Sequence, residues 1–597
     1  MLHERCPRMG RKAGACWDCN KIGFSAGRSV LRAFLAVSVT TLLTVELGGA
    51  QVPPGLPIPL PVPKLPDKPQ TTPPVLPPME SPPEPALPKP PDRTPPFRIA
   101  VKDIMFQGNT VFTAEQLREV TDPFIKKGEV TAEDIETLRL ALTRYYVDRG
   151  YATSGAIVPD QDLADQILTI QIIEGRLMKI EVEENYWFRE PYIRWRIERG
   201  AGPPVNVLAL QEHLQLLQLD PRFTRINANL KPGLALGESH LDLRVTEANP
   251  FKARLGFNNY LSPTVGAEQG FLSLEQQNVT GFGDQLSVYA AGSSGAHPVI
   301  TVNYAIPIHP TDTTLSFQYR RFAFAVREEP FNILDIENRA EGYRIGLRQP
   351  LLRSLRQELA VSITGEHQTN RSFLLGAPFE FTAGATGGVF RLSVLRVGQE
   401  YLYRTDRQVF AFLSRFSVGF GDVLGSSSGS AVPGSADGRF FSWLGEAQLV
   451  RQLEFLRTQL ITKATAQLTP DHVFPLEQLA VGGRYSVRGY REFALVRDNA
   501  VLASIEARIP IYPINQNAER DVLFIAPFLD FGHSWSSEIG TLHPRTLASV
   551  GAGLIWNIPW KDSRFELYYG KQLNRLEVGN GNLQDHGIHL QVVLSAF

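Results

Sequence analysis

The chain has 597 residues, a formal net charge of −1, 20% charged residues and a mean hydropathy near zero. That length exceeds one domain, and the charge balance gives no global pull toward nucleic acid or acidic lipid. Beyond residue 50 no apolar run approaches the roughly 20 residues a membrane helix needs, so entry into a membrane requires a closed β-barrel.

All three cysteines, Cys6, Cys16 and Cys19, lie within the first twenty residues. The Cys16–Cys19 spacing invites redox or zinc chemistry, but no second CxxC or His pair completes a site. Arg28 and Arg32 stand at the start of an apolar stretch, LRAFLAVSVTTLLTV, with the length of a signal-peptide core. The small Gly48 and Ala50 mark cleavage after Ala50. Residues 1–50 therefore read as a signal peptide, with Met9 an alternative start, and the exported chain is expected to be cysteine-free. Residues 51–97 are proline-dense and read as an extended linker rather than a ligand for a proline-binding module.

From residue 98 the chain changes character. Thr113 with Gln116, and Thr131 with Asp134, are spaced as helix N-terminal caps. Ile135, Leu138, Leu142 and Tyr145 recur at helical spacing, and QILTIQIIEG reads as a strand. The order is β-α-α-β-β. A second unit takes MKIEVEE as a strand and LQEHLQLLQLDP as a helix with Leu210, Leu214 and Leu217 on one face. It closes with a hairpin of TRINANLKPG and SHLDLRVTE. Two small α+β domains are expected, at 98–176 and 177–248.

From 249 to 597 the period becomes two. Ile300, Val302, Tyr304 and Ile306 alternate with polar or small residues, as do Leu315, Phe317 and Tyr319. About 16 such strands, at roughly 22 residues per strand and connection, fit a tilted membrane-spanning barrel better than a soluble sandwich. The long polar segment GDVLGSSSGSAVPGSADG suits the outer side of a barrel, and short turns such as HPTDT after Ile308 suit the periplasmic side. The segment from about 470 to 499 is long and carries the tetrad VRGY, Val487 to Tyr490. Gly489 gives backbone freedom, Arg488 carries a permanent charge, and Tyr490 offers a ring and a hydroxyl. On these residues alone Arg488 reads first as an ordinary hydrated loop charge. On VLFIAPFLDFG, period two puts Ile525, Leu529 and Phe531 on a lipid-facing side and Phe528 and Asp530 on the other. Pro527 leads to the expectation of a bulge or a strand end there.

Several stretches occur together in a telling order. They are GYATSGAIVPDQDLADQILTIQIIEGRL (Gly150 to Leu177), NVTGFGDQLSV, VRGY and PFLDFG (527–532). In this the chain resembles the outer-membrane transporters of two-partner secretion, of the haemolysin and filamentous-haemagglutinin activator type. Gln166 departs from the glycine more usual in that family. The resemblance implies α+β POTRA domains followed by an all-β domain, a 16-stranded antiparallel transmembrane β-barrel. It implies a place in the bacterial outer membrane, with the POTRA domains in the periplasm. It makes Gly150, Tyr151, Pro159, Gln161, Leu163, Glu174 and Gly175 substrate-recognition candidates. It makes Val487, Arg488, Gly489 and Tyr490 the tip of a sixth outer loop folded into the lumen, with Phe528, Asp530 and Gly532 as its partners on the barrel wall.

The implied partners are a large secreted β-helical exoprotein, an adhesin or cytolysin, in unfolded form, and outer-membrane lipid. Periplasmic chaperones and the barrel-assembly machinery are implied for the chain's own insertion. No nucleic acid, cofactor or metal is expected, and the chain is expected to be a monomer. Relatives often begin with a helix that plugs the pore, and the proline density here offers none. Two other classes remain. A factor inserting barrels into the membrane would share this plan. An outer-membrane enzyme would need a convergent group such as Ser with His, and His533 and Ser534, adjacent on a strand, point to opposite faces.

Overall fold

The computed structural model describes residues 98–382, 384–428, 435–512, 523–537, 540–541, 543–558, 562–576 and 581–596. The expected signal peptide with its cysteines, the proline-dense linker and any N-terminal plug lie outside the described residues.

The first unit contains strands β1 (Arg98–Ala100), β2 (Asp103–Gln107), β3 (Glu129–Thr131), β4 (Gly155–Ile157) and β5 (Ile167–Ile173), with helices α1 (Ala114–Ile125) and α2 (Ala132–Val147). Both helices begin with a reciprocal cap. Gln116 N–H donates to Thr113 Oγ1 at 3.3 Å while the Gln116 side chain accepts from Thr113 N–H at 2.9 Å. Asp134 and Thr131 repeat the exchange at 3.1 and 3.0 Å. Each pair satisfies two otherwise orphaned donors of a first helical turn. The buried stripe of α2 is Leu138, Leu142 and Tyr146, so the residue completing the spacing is Tyr146, while Tyr145 is only partly covered.

The second unit has strands β6 (Arg176–Glu183), β7 (Phe223–Pro232) and β8 (Glu238–Glu247), with helices α3 (Glu190–Glu198) and α4 (Val207–Gln218). The two units share a topology. In the three-stranded sheet of each, the first strand runs parallel to the last, which sits centrally and pairs antiparallel with the middle one, giving orders β2-β5-β4 and β6-β8-β7, while β1 and β3 form a separate antiparallel pair. Helix α3 is absent from the sequence expectation. It spans nine residues and has no side-chain cap, and it holds its place by burying Tyr192, Ile193 and Ile197 against Leu210, Leu214 and the sheet. Tertiary packing rather than local signal forms it.

The remaining chain is a closed antiparallel barrel, with sixteen long strands among the described residues and a two-residue addition, Ala377–Pro378. Closure is made by the first strand, Phe251–Asn258, pairing with the last, Ile588–Ser595, from Arg254 opposite Ser595 to Asn258 opposite Gln591. The expected fold class is borne out. The alternation has a simple cause: outward positions such as Leu255, Ile345, Leu529 and Phe531 are exposed for lipid, and inward ones such as Glu366, Glu506 and Asp530 are covered. Pro527 is a correction. The strand Leu523–Trp535 runs through it without a bulge, and Pro527 keeps register opposite Ala552. On its other side the ladder with Asn499–Tyr512 holds one register from Phe528 to Ile525 and omits only the two intervening pairs. A missing N–H is tolerated because extended backbone suits proline and the neighbouring bonds carry the register.

The second unit is seated on two short turns at one end of the barrel. Arg196 Nε donates to Asp312 at 3.0 Å and Arg199 to the Pro310 carbonyl at 3.2 Å, both in the HPTDT turn. Arg189 donates to Gly281 O and to Thr280 O, each at 2.9 Å, in NVTGFG. Gly281 (φ +90°) and Gly283 (φ +73°) allow this approach, since a Cβ on either would lie 2.6 Å from Arg189 or the Tyr192 ring. These turns mark the end of the barrel that carries the second unit, the expected periplasmic end. The segment 469–498 leaves from the opposite end.

Candidate functional site

The strand Gln459–Leu468 rises to the outer end, and Asn499–Tyr512 descends from it. The thirty residues between them do not stay outside. Val473, Phe474, Val481, Val487 and Tyr490 are all fully or almost fully buried, so the segment folds into the lumen.

At its tip Arg488 meets the wall. Its Nε donates to Asp530 Oδ2 at 2.7 Å, its Nη2 to Asp530 Oδ1 at 2.8 Å, and its backbone N–H to Oδ2 at 3.0 Å. The same guanidinium donates to Glu506 and, at 3.1 Å, to Ser504 Oγ. Its centre lies 3.6 Å from the Phe528 ring centroid. Arg488 is 3% exposed and Asp530 0%. A guanidinium supplies this arrangement because its planar fork matches a carboxylate edge while its face rests on an aromatic ring. The wall side follows from period two and register: Ser504 lies directly opposite Asp530, and Glu506 opposite Phe528. Ser504 also donates to Asp530 at 2.6 Å, so the carboxylate is satisfied on several sides.

The flanking residues fix the tip. Val487 packs with Leu479, Val481, Leu495 and Leu547. Gly532 makes room for it, since a Cβ there would lie 2.6 Å from Val481 and 2.9 Å from Val487. Gly489 has φ +89°, and a Cβ on it would lie 2.7 Å from the Gly570 carbonyl oxygen. Two backbones therefore touch there with no side chain between them. The Tyr490 hydroxyl donates to Asn574 O at 2.6 Å and accepts from the Ala548 and Asn574 N–H groups at 3.3 Å.

Further ionic contacts spread the hold around the lumen. Arg484 donates to Glu566 at 2.7 Å, Arg491 pairs with Glu328 at 2.7 Å and with Asp585, and Glu477 receives Arg396 at 2.7 and 3.0 Å. Sequence reasoning missed Glu506, Gly570, Glu566 and Arg396. The period-two pattern puts Glu506 on the lumen face, but the path of the incoming segment decides which lumen charge it meets.

Of the periplasmic candidates, Gly150 and Gly175 form a joint with the second α+β unit, and the others hold the first unit together. Gly150 (φ +93°) ends α2, and its carbonyl accepts from Val207 N–H at 2.8 Å, against the Asn206 cap of α4. Gly175 O accepts from Val205 N–H at 2.8 Å. Glu174 accepts from Thr110 N–H at 2.7 Å, Val111 N–H at 2.9 Å and Tyr146 Oη at 3.1 Å. Gln161 exchanges two bonds with the Thr169 backbone, at 2.7 and 2.8 Å, completing an edge that the three-residue β4 leaves open, and also donates to Pro159 O at 3.2 Å. Tyr151 sits edge-on to Phe112 and Tyr146, and Leu163 packs on the same core. Gln166, at the usual glycine position, has φ +59°.

The family profile "Haemolysin secretion/activation protein ShlB/FhaC/HecB" matches residues 237–556, and "POTRA domain, ShlB-type" matches 99–175. The chain belongs to the ShlB/FhaC/HecB family. As a member of it, the protein is a two-partner secretion transporter of the outer membrane, with its POTRA region in the periplasm. It is 22% identical over 401 residues to the outer membrane transporter CdiB of Dickeya dadantii (strain 3937), covering 66% of this chain and 69% of that one. It is 19% identical to the heme/hemopexin transporter protein HuxB of Haemophilus influenzae (strain 86-028NP), covering 77% of this chain and 80% of that one. The solved structure of CdiB from Escherichia coli shares the fold at a TM-score of 0.64 and 20% identity, covering 85% of this chain and 92% of that one.

Arg488→Ala is expected to loosen the segment more than Asp530→Ala. Loss of the arginine leaves the covered Asp530 carboxylate with Ser504 but no cation, although Glu506 keeps Arg508, whereas loss of Asp530 leaves Arg488 with Glu506. Proteolysis of 469–498 in proteoliposomes measures this. The double variant should fall short of the sum of the singles by about 1–3 kcal/mol.

Burial pushes the Glu174 carboxyl up, but hydrogen bonds from Thr110, Val111 and Tyr146 outweigh it and hold the carboxyl below its ordinary range. Its stabilisation is therefore present above the ordinary value of about 4.3 and is lost as pH falls through the lower folded-state value. Glu174→Gln should lower periplasmic-domain stability at pH 7 and flatten its acid dependence, as read by denaturant unfolding at several pH values.

Proposed function

We propose that this transporter captures one large exoprotein, unfolded, on its periplasmic units and passes it outward through the barrel to the cell surface, the segment 469–498 moving to admit it. The observation that carries this reading is the nature of the hold on that segment. It occupies the lumen through ion pairs and hydrogen bonds to the wall, centred on Arg488, and polar contacts can be exchanged for water or for a passing chain one at a time. Val487, Arg488, Gly489 and Tyr490 act as the latch, and Phe528, Asp530 and Gly532 as its seat.

Capture is supported by open sheet edges. Strand β7 is ten residues long and lies at an edge of its sheet, where an extended segment can add as a further strand. The hairpin tip beyond it displays Leu234 and Leu236, both largely exposed. Gly150 and Gly175 serve capture indirectly, by setting the angle between the units, and Glu174 by holding the first unit together beside that joint. Folding of the exoprotein outside removes unfolded chain from the exit side and draws the remainder through. CdiB and HuxB are named as transporters, in agreement with this reading.

The test is secretion of the cognate large exoprotein, co-expressed with this chain and measured in the medium. Arg488→Ala should cut it several-fold while the barrel still folds and inserts. Deletion of 98–247 should abolish it and leave an ion-conducting barrel. Normal secretion by Arg488→Ala would remove the latch, and transport without 98–247 would remove capture.

A further inference from the structure

Between β6 and α3 the second α+β unit makes a tight turn, 184–188. Glu184 has φ +64°. The carboxylate of Glu247 accepts from Trp187 N–H at 2.6 Å and Phe188 N–H at 3.0 Å, and Asn185 Nδ2 donates to Phe188 O at 2.8 Å. The turn is thus held by three hydrogen bonds. What it displays is unusual for a periplasmic surface: Tyr186 is 86% exposed and the adjacent Trp187 45%.

Their position gives the display a meaning. The Trp187 ring stands edge-on to Phe251 at 5.7 Å. Phe251 is the first residue of the first barrel strand, and its side chain shares the outward face with Leu255 and Phe257. Leu255 lies opposite Leu272 on one neighbour and Leu594 on the other, all exposed for lipid. Trp187 and Tyr186 therefore continue the apolar belt by one step below its periplasmic end. Beside them, Val279 in the next turn is exposed, and Trp195 stacks on Phe282 at 6.3 Å. The exposed Arg189 adds a cation at the same level. Rings with an apolar body and a polar tip favour the boundary between acyl chains and headgroups, and a cation there meets lipid phosphate.

We propose that the Tyr186–Trp187 turn inserts into the phospholipid interface of the periplasmic leaflet, anchoring the second α+β unit to the membrane beside the seam where the barrel closes. The occupant of this surface is lipid, because the surface is continuous with the lipid-facing belt and sits at its lower margin.

The expected mature chain has no cysteine, so a nitroxide on Tyr186→Cys reports depth in vesicles of phosphatidylethanolamine and phosphatidylglycerol. Leu234→Cys is the control. Leu234 is fully exposed on the same unit, at the far end of the ten-residue strand β8 from Glu247, roughly 30 Å away. Collisions with a water-soluble nickel chelate should be several-fold fewer at 186 than at 234, and collisions with oxygen more frequent. Trp187→Ala should raise nickel access at 186. Equal nickel access at 186 and 234 would overturn the proposal. So would protection at 186 that appears only when unfolded exoprotein is added, which would assign the two rings to the exoprotein.

Discussion

A sheet that crosses lipid has no water to satisfy an edge, so every strand must find a neighbour on each side. In this chain the pairing of Arg254–Asn258 with Gln591–Ser595 meets that requirement, and the rest of the architecture depends on it. Once the circuit is complete, the outer face must be apolar and irregular backbone has one refuge, the interior. The thirty-residue segment carrying Arg488 enters that interior from the outer end and is held there by its ion pairs with the wall.

The interior is polar but not loosely so. Arg488 touches Asp530, Glu506, Ser504 and the face of Phe528, while Glu506 is shared with Arg508 at 2.7 Å. Removing charges from water costs several kcal/mol each, and mutual attraction offsets this only where geometry is good. Here each charge has more than one partner, so the cluster is satisfied as a group. An isolated pair would have to be almost ideal to hold as well. A group can also be dismantled stepwise, which suits a segment that must both close and yield.

Much of this was legible because the environment imposes strict periods. Lipid on one side and lumen on the other force the alternation seen around Ile300 and Leu315, and two capping pairs announced α1 and α2. Signals that depend on distant packing were not legible. Helix α3 has no cap and a mixed sequence, and exists because Tyr192 and Ile193 have a core to enter. Tyr146 rather than Tyr145 is buried because it continues the four-residue step from Leu142 and its hydroxyl has Glu174 to reach. Pro527 looked disruptive by type, yet an extended strand with intact neighbours absorbs it. Of the charges around Arg488, Asp530 was placed with it on the strength of a resemblance. Glu506, Glu566 and Arg396 needed the trajectory of the segment itself.

The bare meeting of Gly489 with Gly570 has a consequence of its own. Where two main chains lie against each other, the gap is set by peptide geometry, and no choice of rotamer can adjust it. The charges around it can be strengthened or weakened by exchange of one residue for another, but the depth to which the segment descends changes only if one of these two glycines does. This contact acts as a mechanical stop. Change elsewhere in the sequence can alter how firmly the hairpin is gripped, while the level at which it comes to rest stays the same.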